Sequence, residues 1–296
     1  MAGRARVWLA VGVVAALVGF VLWPHGPAAQ VLATGGKEQA AQVPSPSATS
    51  SDAAETETAP ALSVEARRVK EFEDLKRRAK AGDAVAQRLL ADTYEACFIV
   101  NIDREGFLNG LDFNRQMIRP PARLSILENT AQERFARCGA VDGGAIIPLA
   151  LIRGWYAQAA ENGDLAARLS DNAHKQKKLD AVESSALMEE VLASNDPAVV
   201  FAMGSTLGAN YLVAPGDPAY ALFSGEHAGN AWMVAACRMG YDCEPSGTLM
   251  GTLCLGMNGC TGEDFETFWK RSLGSDAERR DVERRVTEIL RLVEGP

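Results

Sequence analysis

Ala79-Lys-Ala-Gly-Asp-Ala-Val-Ala86 and Ala160-Glu-Asn-Gly-Asp-Leu-Ala-Ala167 are two versions of one junction. In each, a glycine ends one helix, an aspartate caps the next, and a small alanine stands three residues into it. Glycine takes a left-handed backbone at a helix end without steric cost, and an aspartate oxygen accepts from the orphan N–H groups of the next first turn. The alanines permit close approach of the two helices. Similar junctions follow at Asn195-Asp196-Pro197 and Gly229-Asn230-Ala231. Asp164 and Asp196 are 32 residues apart, and Asp196 and Asn230 are 34 apart. A period in the thirties predicts stacked helical hairpins, each hiding its apolar side only against its neighbours.

From Ser63 onward the surrounding pattern is helical almost throughout. Apolar residues recur at three and four, as at Val282, Val286, Ile289, Leu290 and Val293. Ser275-Asp-Ala-Glu278 reads as a capping box. Asp196-Pro197 and Asp217-Pro218 read as an N-cap followed by an N1 proline. Gly82, Gly139, Gly163 and Gly240 read as helix stops. The expected fold is all-α, an irregular α-solenoid of helical hairpins over residues 63–296. The alternative is a plain helical bundle in which these strings are ordinary caps.

Trp155-Tyr-Ala-Gln-Ala-Ala-Glu-Asn-Gly-Asp-Leu-Ala-Ala167 is similar to the core of the Sel-one-like repeat, a tetratricopeptide-like hairpin. The resemblance covers residues 155–170. Leu75, Ala79, Gly82, Asp83, Ala86, Leu90 and Tyr94 extend it to the second half of the pattern at 75–97. The later junctions lack the double alanine before the cap. The resemblance implies a protein–protein adaptor with a concave binding surface and no shared catalytic residues. Members occur in bacterial envelopes and organelle lumens.

The N-terminal part sets the expected location. Val7–Trp23 is seventeen residues without a charge, preceded by Arg4 and Arg6. As a helix it would span about 26 Å, near the ~30 Å of a bilayer core. The arginines favour a cytoplasmic N-terminus. Residues 1–24 are therefore read as a transmembrane anchor with Val7, Trp8, Leu22 and Trp23 at its ends. The competing reading is a cleaved signal, whose apolar core would be shorter and whose cleavage site would follow closely. Residues 25–62, rich in Pro, Ala, Ser and Thr, read as a disordered linker with a mean reach of about 35 Å. The expected location is the bacterial inner membrane, single-pass, with the C-terminal domain in the periplasm; a single-pass lumenal protein is the alternative.

Residues 63–296 carry 27 basic and 34 acidic residues. Such a domain is a poor partner for nucleic acid, which needs a clustered basic surface. Arg67, Arg68, Lys70, Lys76, Arg77, Arg78 and Lys80 are interleaved with Glu65, Glu71, Glu73 and Asp74, as on a solvated helix face with local ion pairs.

Six cysteines follow the anchor: Cys97, Cys138, Cys237, Cys243, Cys254 and Cys260. An even count beyond a membrane is read first as disulfides. Cys237/Cys243 and Cys254/Cys260 each place one cysteine late in a helix and one in the loop after it. Local closure of each unit, with Cys97 and Cys138 joined by elimination, and crosswise pairing of the two units both remain open. Five intervening residues fall outside usual zinc spacing, and the two-residue spacing of thiol oxidoreductases is absent. A thiol redox or metal-binding protein is thus a secondary alternative; no metal and no cofactor are expected.

Catalytic signatures are sparse. His25 lies in the linker, His174 beside Lys175, Lys177 and Lys178 on an expected wet face, and His227 at a helix junction. No nucleophile elbow, metalloprotease motif or phosphate loop is present. Gly204-Ser-Thr-Leu-Gly208 reads as close helix packing. Glu183 superficially resembles an envelope glycosidase acid, but the charged stretch before it favours a first-turn residue. Trp155, Tyr156, Trp232, Phe265, Phe268 and Trp269 stand at core-like helical positions. Trp155, Tyr156, Trp232 and Trp269 are also the candidate lining of a partner groove. The expected function is that of a membrane-anchored interaction or scaffolding protein with an unidentified protein partner. A cell-envelope enzyme acting on glycan or peptide is the alternative.

Overall fold

A computed structural model describes residues 62–118, 121–207, 220–257 and 259–295. The expected anchor over 1–24, all but the last residue of the expected linker, and Asp217-Pro218 lie outside them. The chain divides into Met1–Ala61 and Leu62–Pro296, and the described residues fall in the second unit. They form helices and no strand. None of these helices is by itself long and apolar enough to cross a membrane.

The helices are α1 (Val64–Lys80), α2 (Ala84–Ile102), α3 (Arg104–Met117), α4 (Pro121–Ala140), α5 (Leu149–Glu161), α6 (Leu165–His174) and α7 (Ala181–Ser194). They continue as α8 (Pro197–Thr206), the single turn α9 (Tyr220–Phe223), α10 (Ala228–Arg238), α11 (Thr248–Met257), α12 (Phe265–Ser272) and α13 (Asp276–Glu294). The two opening strings fold alike. Gly82 and Gly163 take φ of +92° and +95°. Gly82 N–H donates to Ala79 and Asp83 N–H to Arg78; Gly163 N–H donates to Ala160 and Asp164 N–H to Ala159. These are Schellman closures. Asp83 and Asp164 then accept from Ala86 and Ala167 N–H at 2.9 and 2.7 Å. Ala79, Ala86, Ala159 and Ala167 are completely buried, as close helix approach requires. Gly240 closes α10 in the same way, through Gly240 N–H to Cys237 and Tyr241 N–H to Ala236.

Packing is serial along much of the chain: α1 on α2, α2 on α5, α5 on α6, α6 on α8, α8 on α10, and α10 on α13. One core gathers Phe72, Leu90, Tyr94, Ile152 and Tyr156 from the first hairpins. A larger one gathers Leu169, Val200, Met203, Trp232, Val286 and Ile289 from α6 to α13, and a third holds Leu111, Leu127, Ala131, Cys254 and Cys260. Where α8 crosses α10 the backbones touch. A Cβ on Gly204 would lie 2.6 Å from Gly229 oxygen and 2.8 Å from Met233 nitrogen.

Several local expectations hold. Ser275/Glu278 and Asp180/Glu183 both form capping boxes, so Glu183 is a first-turn cap residue. Asp196 caps α8 with Pro197 following. Three disulfides form: Cys97–Cys138, Cys237–Cys243 and Cys254–Cys260, with Cα separations of 5.2, 5.6 and 4.2 Å. The pairing is the local one. Each six-residue bridge folds a loop back onto its own helix, while Cys97–Cys138 joins α2 to α4.

Other expectations are corrected. Gly139 does not stop a helix: α4 runs through it, and the chain leaves by a 3-10 turn in which Asp142 and Gly143 take positive φ. Asp142 is held there by Lys76 and by the Tyr94 hydroxyl. Gly139 instead leaves room for Arg104, whose guanidinium lies 3.8 Å over the Phe135 ring. Gly229-Asn230 is no junction either. Both residues are inside α10, because Gly229 is needed for backbone contact with Gly204. The basic face of α1 is only partly paired locally: Arg77 bonds Asp74, but Arg68 reaches Glu133 on α4 and Lys76 reaches Asp142.

Candidate functional site

Arg88, Asp92 and Glu95 stand four and three residues apart on α2, so they form one polar stripe of that helix. The stripe meets Tyr156 from α5, the capping Asp164 of α6, and His174 at the end of α6. Tyr156 Oη lies 2.7 Å from Asp92 Oδ1 and 2.8 Å from Glu95 Oε2. A phenol has one proton, so it donates to one carboxylate only; the second contact is favourable when that carboxyl carries a proton of its own. Burial pushes Asp92 up to about 6, with Glu95 and Asp164 adding to the push. The Tyr156 hydrogen bond and the Arg88 charge oppose it. Burial, then the charges of Asp92 and Glu95, hold the Tyr156 hydroxyl well above the usual phenol range, so it remains a donor.

Arg88 fixes the acidic side. Its Nε lies 3.1 and 3.0 Å from the two Asp164 oxygens, and its Nη1 lies 3.4 Å from Asp92. Burial works against the Arg88 charge, but Asp164 and Asp92 outweigh it and hold the guanidinium protonated. The His174 ring lies 5.1 Å from the Tyr156 ring, and its Nε2 is 3.7 Å from Glu95 Oε1. Phe201 of α8 and Tyr241 after α10 stack at 4.0 Å, nearly parallel at 7°. Tyr241 lies within the field of Asp92 and Arg88; burial first, then the Asp92 charge, pushes its hydroxyl up to about 12. Asp92 and Glu95 still present 44% and 47% of their side-chain surface to solvent. The result is a half-exposed polar cluster: two carboxyls on one tyrosine hydroxyl, with a histidine ring against the same tyrosine.

The four candidate groove aromatics separate. Trp232 is fully buried, donates from Nε1 to Leu222 oxygen and stacks on Phe223, so it is a core anchor and lines no groove. The Tyr156 ring is core as well, and only its hydroxyl joins the carboxyl cluster. Trp155 and Trp269 are half-buried and belong to different cores. His174 is not on a wet face: its side chain is 17% exposed, because the ring lies against Tyr156. Among the described residues, no group of three or more His, Cys, Asp and Glu is placed to hold a metal ion. Sequence reading missed Arg88, Asp92, Glu95, Phe201 and Tyr241. The stripe on α2 was the available signal. No protein-family model, curated protein or solved structure matches this chain.

Proposed function

We propose that the protein is a membrane-anchored adaptor of the bacterial envelope, working outside the cytoplasm on an irregular solenoid of Sel-one-like hairpins. Its half-exposed Asp92–Glu95 cluster receives a basic side chain from an extended segment of a protein partner. The carrying observation is the pair of half-exposed carboxyls on one Tyr156 hydroxyl. That pair is short of one proton-like charge at neutral pH. A lysine or arginine of a partner supplies it, with charge-assisted bonds to both carboxylates. The Phe201–Tyr241 stack offers the adjoining apolar stem a platform. Serial packing and three disulfides suit a rigid scaffold in an oxidising compartment. The test is crosslinking of the tagged full chain in its native membranes. A protein adduct that weakens with Asp92→Asn and Glu95→Gln together is expected. No adduct, with purified protein degrading peptidoglycan, would overturn the reading.

One observation favours an envelope hydrolase instead: Asp92 keeps its proton to about 6 beside a second carboxyl. Paired-carboxylate hydrolysis needs the scissile bond between the two acids. Here the Tyr156 hydroxyl occupies that space, which is why binding is the preferred reading.

A further inference from the structure

A second feature lies on other elements of the domain. A cleft of ≈ 230 Å³ opens between α4 and the start of α11. Arg134 lines it and is only 8% exposed. Its guanidinium donates to Ala96 oxygen at 2.9 Å, Thr248 oxygen at 3.2 Å and Thr252 Oγ1 at 3.1 Å. All three acceptors are neutral, and among the described residues no carboxylate pairs with it. A buried cation without a counter-ion is costly to keep in a protein. The neighbouring charge makes it worse: Arg137 also lines the cleft. Burial, then Arg137, push Arg134 down to about 10. The acid on the wall, Glu133, is engaged by Arg68 and Arg137. The chain as a whole has 38 acidic against 30 basic residues, so this local excess of positive charge runs against its composition.

The rest of the cleft matches the same ligand. Asn129, Thr130 and Ser246 add neutral polar groups. The N-terminal end of the ten-residue α11 opens into the cleft at Gly247 and Thr248, adding the positive end of a helix dipole. Gly251 lies directly against the guanidinium: a Cβ there would stand 3.1 Å from Arg134 Nη2, so a larger residue would crowd the guanidinium on the cleft wall.

We propose that this cleft is an oxyanion site, taking a carboxylate or a phosphate group between Arg134 and Arg137 at the head of α11. The anion supplies the missing counter-charge, and the guanidinium N–H groups not already held by Ala96, Thr248 and Thr252 donate charge-assisted hydrogen bonds to it. This site is independent of the carboxyl cluster at Asp92.

The test uses the full chain in detergent, with disulfides intact and ionic strength fixed with chloride. Inorganic phosphate and acetate are titrated separately, followed by thermal unfolding and, for phosphate, by ³¹P line width. Saturable binding of at least one is expected, and the tighter of the two identifies the group. Arg137→Gln removes a half-exposed cation while leaving the Arg134 hydrogen bonds in place, and should weaken that binding at least tenfold. Arg134→Lys should abolish it; if that variant does not fold, Arg137→Gln carries the test. No saturable binding of either anion, or binding unchanged in Arg137→Gln, would overturn the proposal. A failure at Asp92 would leave this result untouched, and the reverse.

Discussion

Asp92→Asn should stabilise the domain at neutral pH and leave it unchanged in acid. The carboxyl is ordinarily ionised above 3.8 but is held protonated to about 6 in the fold. Between those values the folded chain binds the proton more tightly than the unfolded one, so raising the pH there lowers stability. The penalty is complete above about 6 and absent below about 4. A fully dry group would carry about 1.4 kcal/mol per pH unit, roughly 3 kcal/mol in all. The Asp92 side chain is 44% exposed, and solvent screening removes most of that. About 1 kcal/mol remains. Asparagine keeps an oxygen for the Tyr156 hydroxyl and removes the repulsion with Glu95. Arg88 loses only its 3.4 Å contact and retains Asp164. Urea unfolding with disulfides intact, followed by far-ultraviolet circular dichroism from pH 4 to 7.5, measures the difference. The variant should match the parent near pH 4 and exceed it by about 1 kcal/mol at pH 7.5. A variant less stable at pH 7.5, or a difference that does not change with pH, would refute the reasoning.

The disulfides should differ in worth by loop length. Chain-entropy arguments give about 4 kcal/mol for Cys97–Cys138, which spans 41 positions, and about 2 kcal/mol for each bridge spanning 6. Paired Cys→Ala variants in urea should keep that order. Gly204→Ala forces apart α8 and α10 at their backbone contact and should lose about 2–3 kcal/mol of stability in the same assay. Arg88→Met strands the buried Asp164 charge and should lose about 3 kcal/mol. Adding Asp164→Asn, which still caps α6, should recover part of that loss.

Much of the local structure was readable in advance, and the reason is chemical. The Gly-Asp strings at 82–83 and 163–164, the capping box at 275 and the first-turn place of Glu183 are satisfied within a few residues of themselves. Cys237/Cys243 and Cys254/Cys260 were open between local closure and crosswise pairing; the structure closes each locally, since each loop is short enough to reach its own helix. Gly139 and Gly229 failed because their purpose is tertiary: one makes room for Arg104, the other touches Gly204. The carboxyl cluster was illegible for the same reason. Asp92, Tyr156 and Tyr241 come together through three separate helix packings, and only the 88/92/95 stripe is a property of one helix. Trp232 was indistinguishable from a groove residue by spacing alone; its indole bond to Leu222 oxygen places it in the core.

The helical body is braced by three disulfides. The direct measurement is thiol alkylation of the protein at the moment of cell lysis, followed by non-reducing peptide mapping. Linked peptides joining Cys97 to Cys138, Cys237 to Cys243 and Cys254 to Cys260, with no alkylated cysteine, are predicted. Six alkylated thiols would contradict it.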